Sequence, residues 1–329
     1  MMPAAPSPLP LTVLTGFLGS GKTTILKHAL ADPALAGPAV IVNEFGAVGL
    51  DHELLESAEE DLVALSTGCL CCAVRGDLAR TIGDLLDRRA AGAIAFERLI
   101  VETSGLADPA PIFQGLALDS AMQGKVRLAR IVTTIDAALG RTTLAAHPEA
   151  RKQAAFADIL VVTKSDLAPP QTAETAARQF NPTAIVALAD HGRLDTALLL
   201  PPTEPSQVLA DQLTNPRDAE AEHSEGLTTV TLVRTKPVAA IALTLFLEAL
   251  AEACGPDLLR LKGLVQIAES PDTPAVVHGV QHVFHAIEWL DRWPTDERTT
   301  RLVFIGRRLM PGWPRLLLAQ IEREVAATA

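Results

Sequence analysis

The stretch Gly16-Phe17-Leu18-Gly19-Ser20-Gly21-Lys22-Thr23-Thr24 constrains this chain more than any other. Gly16, Gly21, Lys22 and Thr23 occupy the fixed positions of G-x-x-x-x-G-K-[ST]. The apolar run Leu11-Thr12-Val13-Leu14 precedes it, and the helix-like run Thr24-Ile25-Leu26-Lys27-His28-Ala29-Leu30 follows. Strand, glycine-rich loop and helix in that order form a phosphate cradle. The glycines let the backbone bend around a polyphosphate and turn N–H groups inward, and the helix N-terminus adds a field that favours anions. On this reading Gly16, Gly19, Ser20, Gly21, Lys22, Thr23 and Thr24 bind the nucleotide. Lys22 reaches the β/γ-phosphates, and the Thr23 hydroxyl binds Mg²⁺.

From residue 10 to about 190, apolar strands alternate with stretches of helical period. The strands are expected at Leu11–Thr15, Ala39–Asn43, Leu62–Ser66, Arg98–Glu102, Arg130–Ile135, Ile159–Thr163 and Thr183–Ala187, with helices such as Asp77–Ala90 and Pro109–Leu118 between them. This pattern predicts an α/β fold with a doubly wound, mainly parallel sheet. Ligands then gather at the carboxyl ends of the strands. Residues 1–9 read as a Pro-rich mobile tail, 10–190 as the nucleotide-binding domain, and 191–226 as a Pro-rich, acidic linker. Residues 227–329 read as a smaller α+β domain. It has strands at Thr228–Arg234, Leu258–Ala268, Ala275–His278 and Arg301–Ile305. One helix opens at Pro237 and stops at Gly255, and another covers Pro314–Val325.

Composition narrows the function. A net charge of −11 argues against nucleic acid and anionic membranes as partners. The absence of Tyr argues against an aromatic platform for single strands. No apolar run approaches the about 20 residues of a membrane span, and the N-terminus does not read as a signal peptide. Of four cysteines, Cys69, Cys71 and Cys72 fall within four positions. Thiols that close rarely make structural disulfides, and the cluster points to metal binding in a reducing cytoplasm.

Three further motifs carry chemistry. Arg98-Leu99-Ile100-Val101 ends in Glu102-Thr103-Ser104-Gly105. Glu102 there can hold Mg²⁺ through water or orient the attacking water, and Gly105 can offer its N–H to the γ-phosphate. Ile159-Leu160-Val161-Val162 leads into Thr163-Lys164-Ser165-Asp166, which fits [NT]-K-x-D. Asp166 can accept from guanine N1–H and the exocyclic amine, a donor pair that adenine lacks, so GTP is expected rather than ATP. Lys164 would lie along the base and brace the loop. In Gly68-Cys69-Leu70-Cys71-Cys72, Cys69 and Cys71 can chelate a borderline metal, with Cys72 as third ligand or spare. Three thiols cannot close a four-sulfur site. The outer ligand is then Glu44, His52, water or a client group, an arrangement suited to a metal that must be released. Glu44 lies in Asn43-Glu44-Phe45-Gly46, where a first switch is expected. Cys254 reads as packing, and His278, His282 and His285 show no clear common face.

With GFLGSGKTT, NEFG, GCLCC, ETSGLADP and TKSD in that order, the chain resembles the CobW-type metallochaperone GTPases, relatives of the urease and hydrogenase nickel-insertion GTPases. The stretches Arg260–Val265 and Arg301–Gly306 resemble that family's second domain. The resemblance implies GTP-dependent delivery of Zn²⁺, or Co²⁺, to a metal-requiring client protein, coupled to the GTP/GDP cycle. It also implies a nucleotide-dependent homodimer, and because no Arg finger is assignable from the sequence, intrinsic hydrolysis is expected to be slow. One departure is that the linker holds only His191 and His223, so a histidine reservoir for metal is not expected. The rival readings are a small-molecule kinase and a GTP-regulated scaffold whose cysteines only pack.

Overall fold

The computed structural model describes residues 8–32, 38–42, 75–119, 122–199, 221–222, 227–281, 283–284 and 287–328. The chain divides into two units, 1–177 with 184–204, and 178–183 with 205–329. The first is built around β1 (Leu9–Gly16), which is buried at every position. A strand covered on both faces is a near-continuous apolar run rather than an alternating one, and Leu9, Leu11, Val13 and Leu14 supply that character. β1 lies between β3 (Leu99–Glu102) and β4 (Val126–Asp136), parallel to both. With β2 (Ala39–Val42), β5 (Ile159–Thr163) and β6 (Ile185–Leu188), the order is β2-β3-β1-β4-β5-β6, every pair parallel.

Between the strands in sequence come α1 (Lys22–Leu30), α2 (Arg75–Ala90), α3 (Ala110–Leu118), α4 (Gly140–Ala146), α5 (Pro148–Phe156) and α6 (Gln171–Arg178). The chain runs from β1 to β2 at one edge and from β3 to β4 on the other side. The winding therefore reverses between β1 and β3, and such a switch point is where open α/β sheets bind ligands. The doubly wound architecture predicted from the alternation is the one found. The expected strand 62–66 and the end of 39–43 lie outside the described residues.

The expected linker needs correction at its start. Residues 191–199 belong to the first unit, where α7 (Thr196–Leu199) packs on the sheet. Leu199 is fully buried in the cluster that holds Leu14, Ile25, Leu26, Ile100 and Val161. Thr12 Oγ1 donates to Leu199 O at 2.8 Å. An Arg130 guanidinium nitrogen donates to Ala197 O and Leu198 O at 2.8 and 2.6 Å. A buried cation thus satisfies carbonyls at a helix end that would otherwise lack partners.

The second unit is an antiparallel sheet in the order β11-β10-β9-β13-β8-β7, with β12 on β10. Its strands are β7 (Ala221–Glu222), β8 (Leu227–Arg234), β9 (Leu258–Ile267), β10 (Ser270–Val280), β11 (Val283–Phe284), β12 (Glu288–Trp289) and β13 (Thr300–Arg307). The helices α8 (Ala240–Cys254) and α9 (Trp313–Thr328) share one core with its inward residues, including Val230, Phe246, Leu261, Phe304 and Leu318. Period-2 alternation places Leu259, Leu261 and Val265 apart from Arg260 and Lys262 along β9. Pro237 does not open α8 as predicted. Val238 exchanges backbone hydrogen bonds with Gln266 and Ala268 at 2.8 and 2.9 Å, which keeps it extended, and the helix starts at Ala240. Gly255, at φ 47°, follows the last helical residue as expected.

Candidate functional site

The loop after β1 is braced from β4 and β5. Gly16 has φ 140°, and a Cβ there would stand 2.2 Å from Thr134 Oγ1 and 2.6 Å from Thr134 O, so only glycine fits. Ser20 Oγ donates to Phe17 O at 2.7 Å and lies 2.5 Å from Thr134 Oγ1. Thr163 Oγ1 donates to Ser20 O at 2.8 Å, which joins the end of β5 to the loop. Gly21 is the N-cap of α1, at φ 94°, with no side-chain cap. Replacing a capping side chain by glycine costs only a few tenths of a kcal/mol (about 0.3). It leaves the first N–H groups of the helix for an anion. Lys22 is 8% exposed, and its Nζ donates to Gly16 O at 2.9 Å and Phe17 O at 3.2 Å. The ammonium is thus already folded back over the loop. Gly19 and Thr24 are exposed beside it.

Glu102 stands opposite Leu14 in the β1–β3 register, and the geometry brings its carboxylate to the loop. Thr23 Oγ1 donates to Glu102 Oε1 at 2.6 Å, with Glu102 2% exposed. Thr103 fixes the same strand end: its N–H donates to Leu14 O at 2.9 Å and its Oγ1 to Thr15 Oγ1 at 2.7 Å. A hydroxyl and a carboxylate in contact form a hard-oxygen pair, the donor type that Mg²⁺ takes.

Gly105 is buried against the phosphate loop. A Cβ there would lie 2.6 Å from Leu18 N and 2.7 Å from Leu18 Cα. Its carbonyl accepts from Gln153 Nε2 at 3.1 Å. Because the obstacle is backbone, Gly105→Ala is expected to destabilise the fold by about 1–3 kcal/mol, as overpacking does. It should also weaken nucleotide binding by moving Leu18. Calorimetric Tm and a fluorescent-nucleotide titration check this; unchanged values in both would refute the packing account.

At the far end of the loop lies the Thr163–Asp166 stretch. Asp166 is exposed, and Lys164 donates to Asp136 Oδ2 at 2.7 Å. A cavity of about 170 Å³ adjoins this pair and is lined by Phe17, Ser20, Asp136, Gly140, Gln153 and Lys164, among others. Phe17 stacks on His147, with ring centroids 4.4 Å apart.

The structure thus brings Gly16, Gly19, Ser20, Gly21, Lys22, Thr23, Thr24, Glu102, Gly105, Thr163, Lys164 and Asp166 to one edge of the sheet. Thr134, Asp136 and Gln153 were not singled out by sequence. Asp136 carries a readable signal, a carboxylate at a strand tip, as Glu102 does. Gln153 carries none, because its partners are carbonyls distant in sequence.

The proposed metal ligands Glu44, Cys69, Cys71 and Cys72 lie outside the described residues, as do His52, His282 and His285. Among the described residues there is no cluster of three or more His, Cys, Asp or Glu side chains able to hold a metal. Cys254 is half-buried against the second unit's core. Burial and the nearby Asp257 charge push its thiol up, so it stays protonated and packs as a small hydrophobe. No helix among the described residues is long and apolar enough to cross a membrane.

Residues 10–187 match the family model described as CobW/HypB/UreG, nucleotide-binding domain. Residues 227–322 match the Cobalamin synthesis protein cobW C-terminal domain. The chain is 32% identical over 308 residues to the zinc chaperone YjiA of Escherichia coli, covering 92% of this chain and 95% of that protein. It is 32% identical over 339 residues to the zinc chaperone CobW of Pseudomonas aeruginosa, covering 92% of this chain and 88% of that one. The crystal structure of Zn(II)-bound YjiA GTPase from E. coli superimposes with a TM-score of 0.69 and 28% identity, over 96% of this chain and 99% of that one.

Proposed function

This chain belongs to the CobW/HypB/UreG family, and we infer that it is a GTPase that works as a zinc chaperone, loading zinc at Cys69, Cys71 and Cys72 and passing it to a metal-requiring client. The observation that carries this reading is the convergence of Lys22, the Thr23–Glu102 contact and the Thr163–Asp166 loop on one sheet edge. Similarity to two zinc chaperones along nearly the whole chain supports the zinc half.

In this mechanism the N–H groups of Gly19 to Thr24 wrap the β-phosphate, and Lys22 exchanges its loop carbonyls for phosphate oxygens. The Thr23 hydroxyl and Glu102 would hold Mg²⁺, directly or through water. When bound, the ion neutralises charge that develops between the β- and γ-phosphates. Gly105, packed on Leu18, faces the γ-phosphate through its N–H. Asp166 reads guanine, and ATP would leave its carboxylate without donors. Glu44 is the proposed outer zinc ligand, set in the segment that responds to the γ-phosphate. The GTP state gathers the thiolates and hydrolysis loosens them. Pairing of two copies around nucleotide belongs to this proposal, as does action in the reducing cytoplasm, where the thiols stay free.

The test is equilibrium titration of the anaerobic protein. GTP is expected to bind far more tightly than ATP, and zinc more tightly with a non-hydrolysable GTP analogue than with GDP. Equal zinc affinity in the two nucleotide states refutes the coupling. Equal GTP and ATP affinity refutes the reading of Asp166.

A further inference from the structure

Asp136 closes β4, is 8% exposed, and uses both carboxylate oxygens. Oδ1 accepts from the N–H groups of Ala138 at 2.8 Å and Leu139 at 3.1 Å. Oδ2 accepts from Lys164 Nζ at 2.7 Å. Burial alone would raise this carboxyl, but the Lys164 ammonium and the two N–H groups outweigh burial and hold it below the usual range. It is therefore an anion when the lysine is a cation.

Lys164 has φ 56°, a left-handed conformation that is strained for a residue with a Cβ. Such strain persists where the surroundings enforce it. Three restraints do so here. Thr163, the residue before, is tied to Ser20 O. The turn closes with Leu167 N–H donating to Lys164 O at 3.0 Å. The far end of the side chain is held by Asp136. Asp166, two residues on, sits in that turn and is exposed.

We propose that Asp136 is a positioning residue for guanine recognition: through its ion pair it holds Lys164 in the left-handed turn that presents Asp166 to the base. In this role Asp136 acts through Lys164 rather than by reading the base. The proposal rests on the reading of the Thr163–Asp166 loop as the base reader, and it adds the group that keeps this loop in shape before GTP arrives.

The experiment uses the full chain. Asp136→Asn keeps the size and an acceptor for Ala138 and Leu139 but removes the charge that holds Lys164. GTP affinity is expected to fall about tenfold, equivalent to about 1.4 kcal/mol. KM should rise while kcat at saturation changes less than about twofold, and discrimination against ATP should shrink. Asp136→Glu keeps the charge and is expected to retain the selectivity that Asp136→Asn loses. In a Lys164→Met background, Asp136→Asn should have no further effect, since residues acting as a unit are non-additive. Equal losses for GTP and ATP, or additive effects in the double variant, overturn the proposal in favour of a purely structural role. A wild-type protein that fails to distinguish GTP from ATP instead refutes the base-reader premise, and that result appears before any variant is made. If Asp136→Asn does not fold, Asp136→Ser, whose hydroxyl can still accept from Ala138, takes its place beside Asp136→Glu. Selectivity lost in Asp136→Ser and kept in Asp136→Glu supports the proposal, and equal selectivity in both overturns it.

Discussion

Lys22→Ala is expected to leave the chain folded and to lower kcat for GTP hydrolysis by at least about 10²–10³-fold, the range for removing one preorganised donor from a reacting group. The effect is large because the ammonium is both buried and aimed. Lys22 is 8% exposed, and its Nζ is held by Gly16 O and Phe17 O. It therefore meets the phosphates from within the loop by trading those two carbonyls for phosphate oxygens, and a charge-assisted hydrogen bond is about twice as strong as a neutral one. The fold should tolerate the loss. The loop keeps the Ser20–Phe17, Ser20–Thr134 and Thr163–Ser20 bonds, and α1 keeps Ile25, Leu26 and Ala29 in the core. Chromatographic detection of GDP, with circular dichroism for the fold, checks the prediction. A folded Lys22→Ala protein that hydrolyses GTP within about tenfold of wild type would remove Lys22 from the catalytic role.

The same loop shows what was legible in the sequence. Its glycine spacing leaves few backbone paths, and the buried run of β1 permits few partners, so motif and sheet position followed together. The Thr163–Asp166 motif was legible for a similar reason: a polar loop directly after an apolar strand must lie at the strand's carboxyl edge. Other features depend on partners that sequence spacing cannot reveal. Leu194, Leu198 and Leu199 sit next to prolines and acidic residues, so composition reads linker. What folds α7 down is Thr12 and Arg130, far back in the chain. Val238 looks like part of a helix opened by Pro237 until Gln266 and Ala268 claim its backbone. The carboxylate of Asp136 at a strand tip is visible in the sequence, but its bond from Lys164, 28 residues on, is not. In the first two cases local propensity was overridden by a hydrogen bond across the fold.

The second large effect concerns the sulfur cluster. Cys69→Ser/Cys71→Ser is expected to lower zinc affinity by at least about 100-fold, because even groups that only support metal ligands are worth 10–100-fold and here two ligands go. Serine retains size and polarity but stays protonated near neutral pH, so it offers Zn²⁺ a weak neutral oxygen in place of a thiolate. Cys72 and Glu44 alone would leave too few ligands for a tetrahedral ion. GTP binding should be nearly untouched, because Lys22, Thr23, Glu102 and Asp166 come from the start of α1, the end of β3 and the loop after β5. The sharper readout is reciprocity. If zinc binds the GTP state more tightly by some factor, zinc must raise GTP affinity by that same factor, and such couplings run at about 5–150-fold. In the double variant that factor should fall to one while the nucleotide affinities themselves remain. Anaerobic competition against a chromophoric chelator gives the zinc side, and nucleotide titration with and without zinc gives the other. Unchanged zinc affinity in the variant would place the metal elsewhere in the chain. A zinc effect on GTP affinity that survives the substitutions would uncouple the cysteines from the cycle.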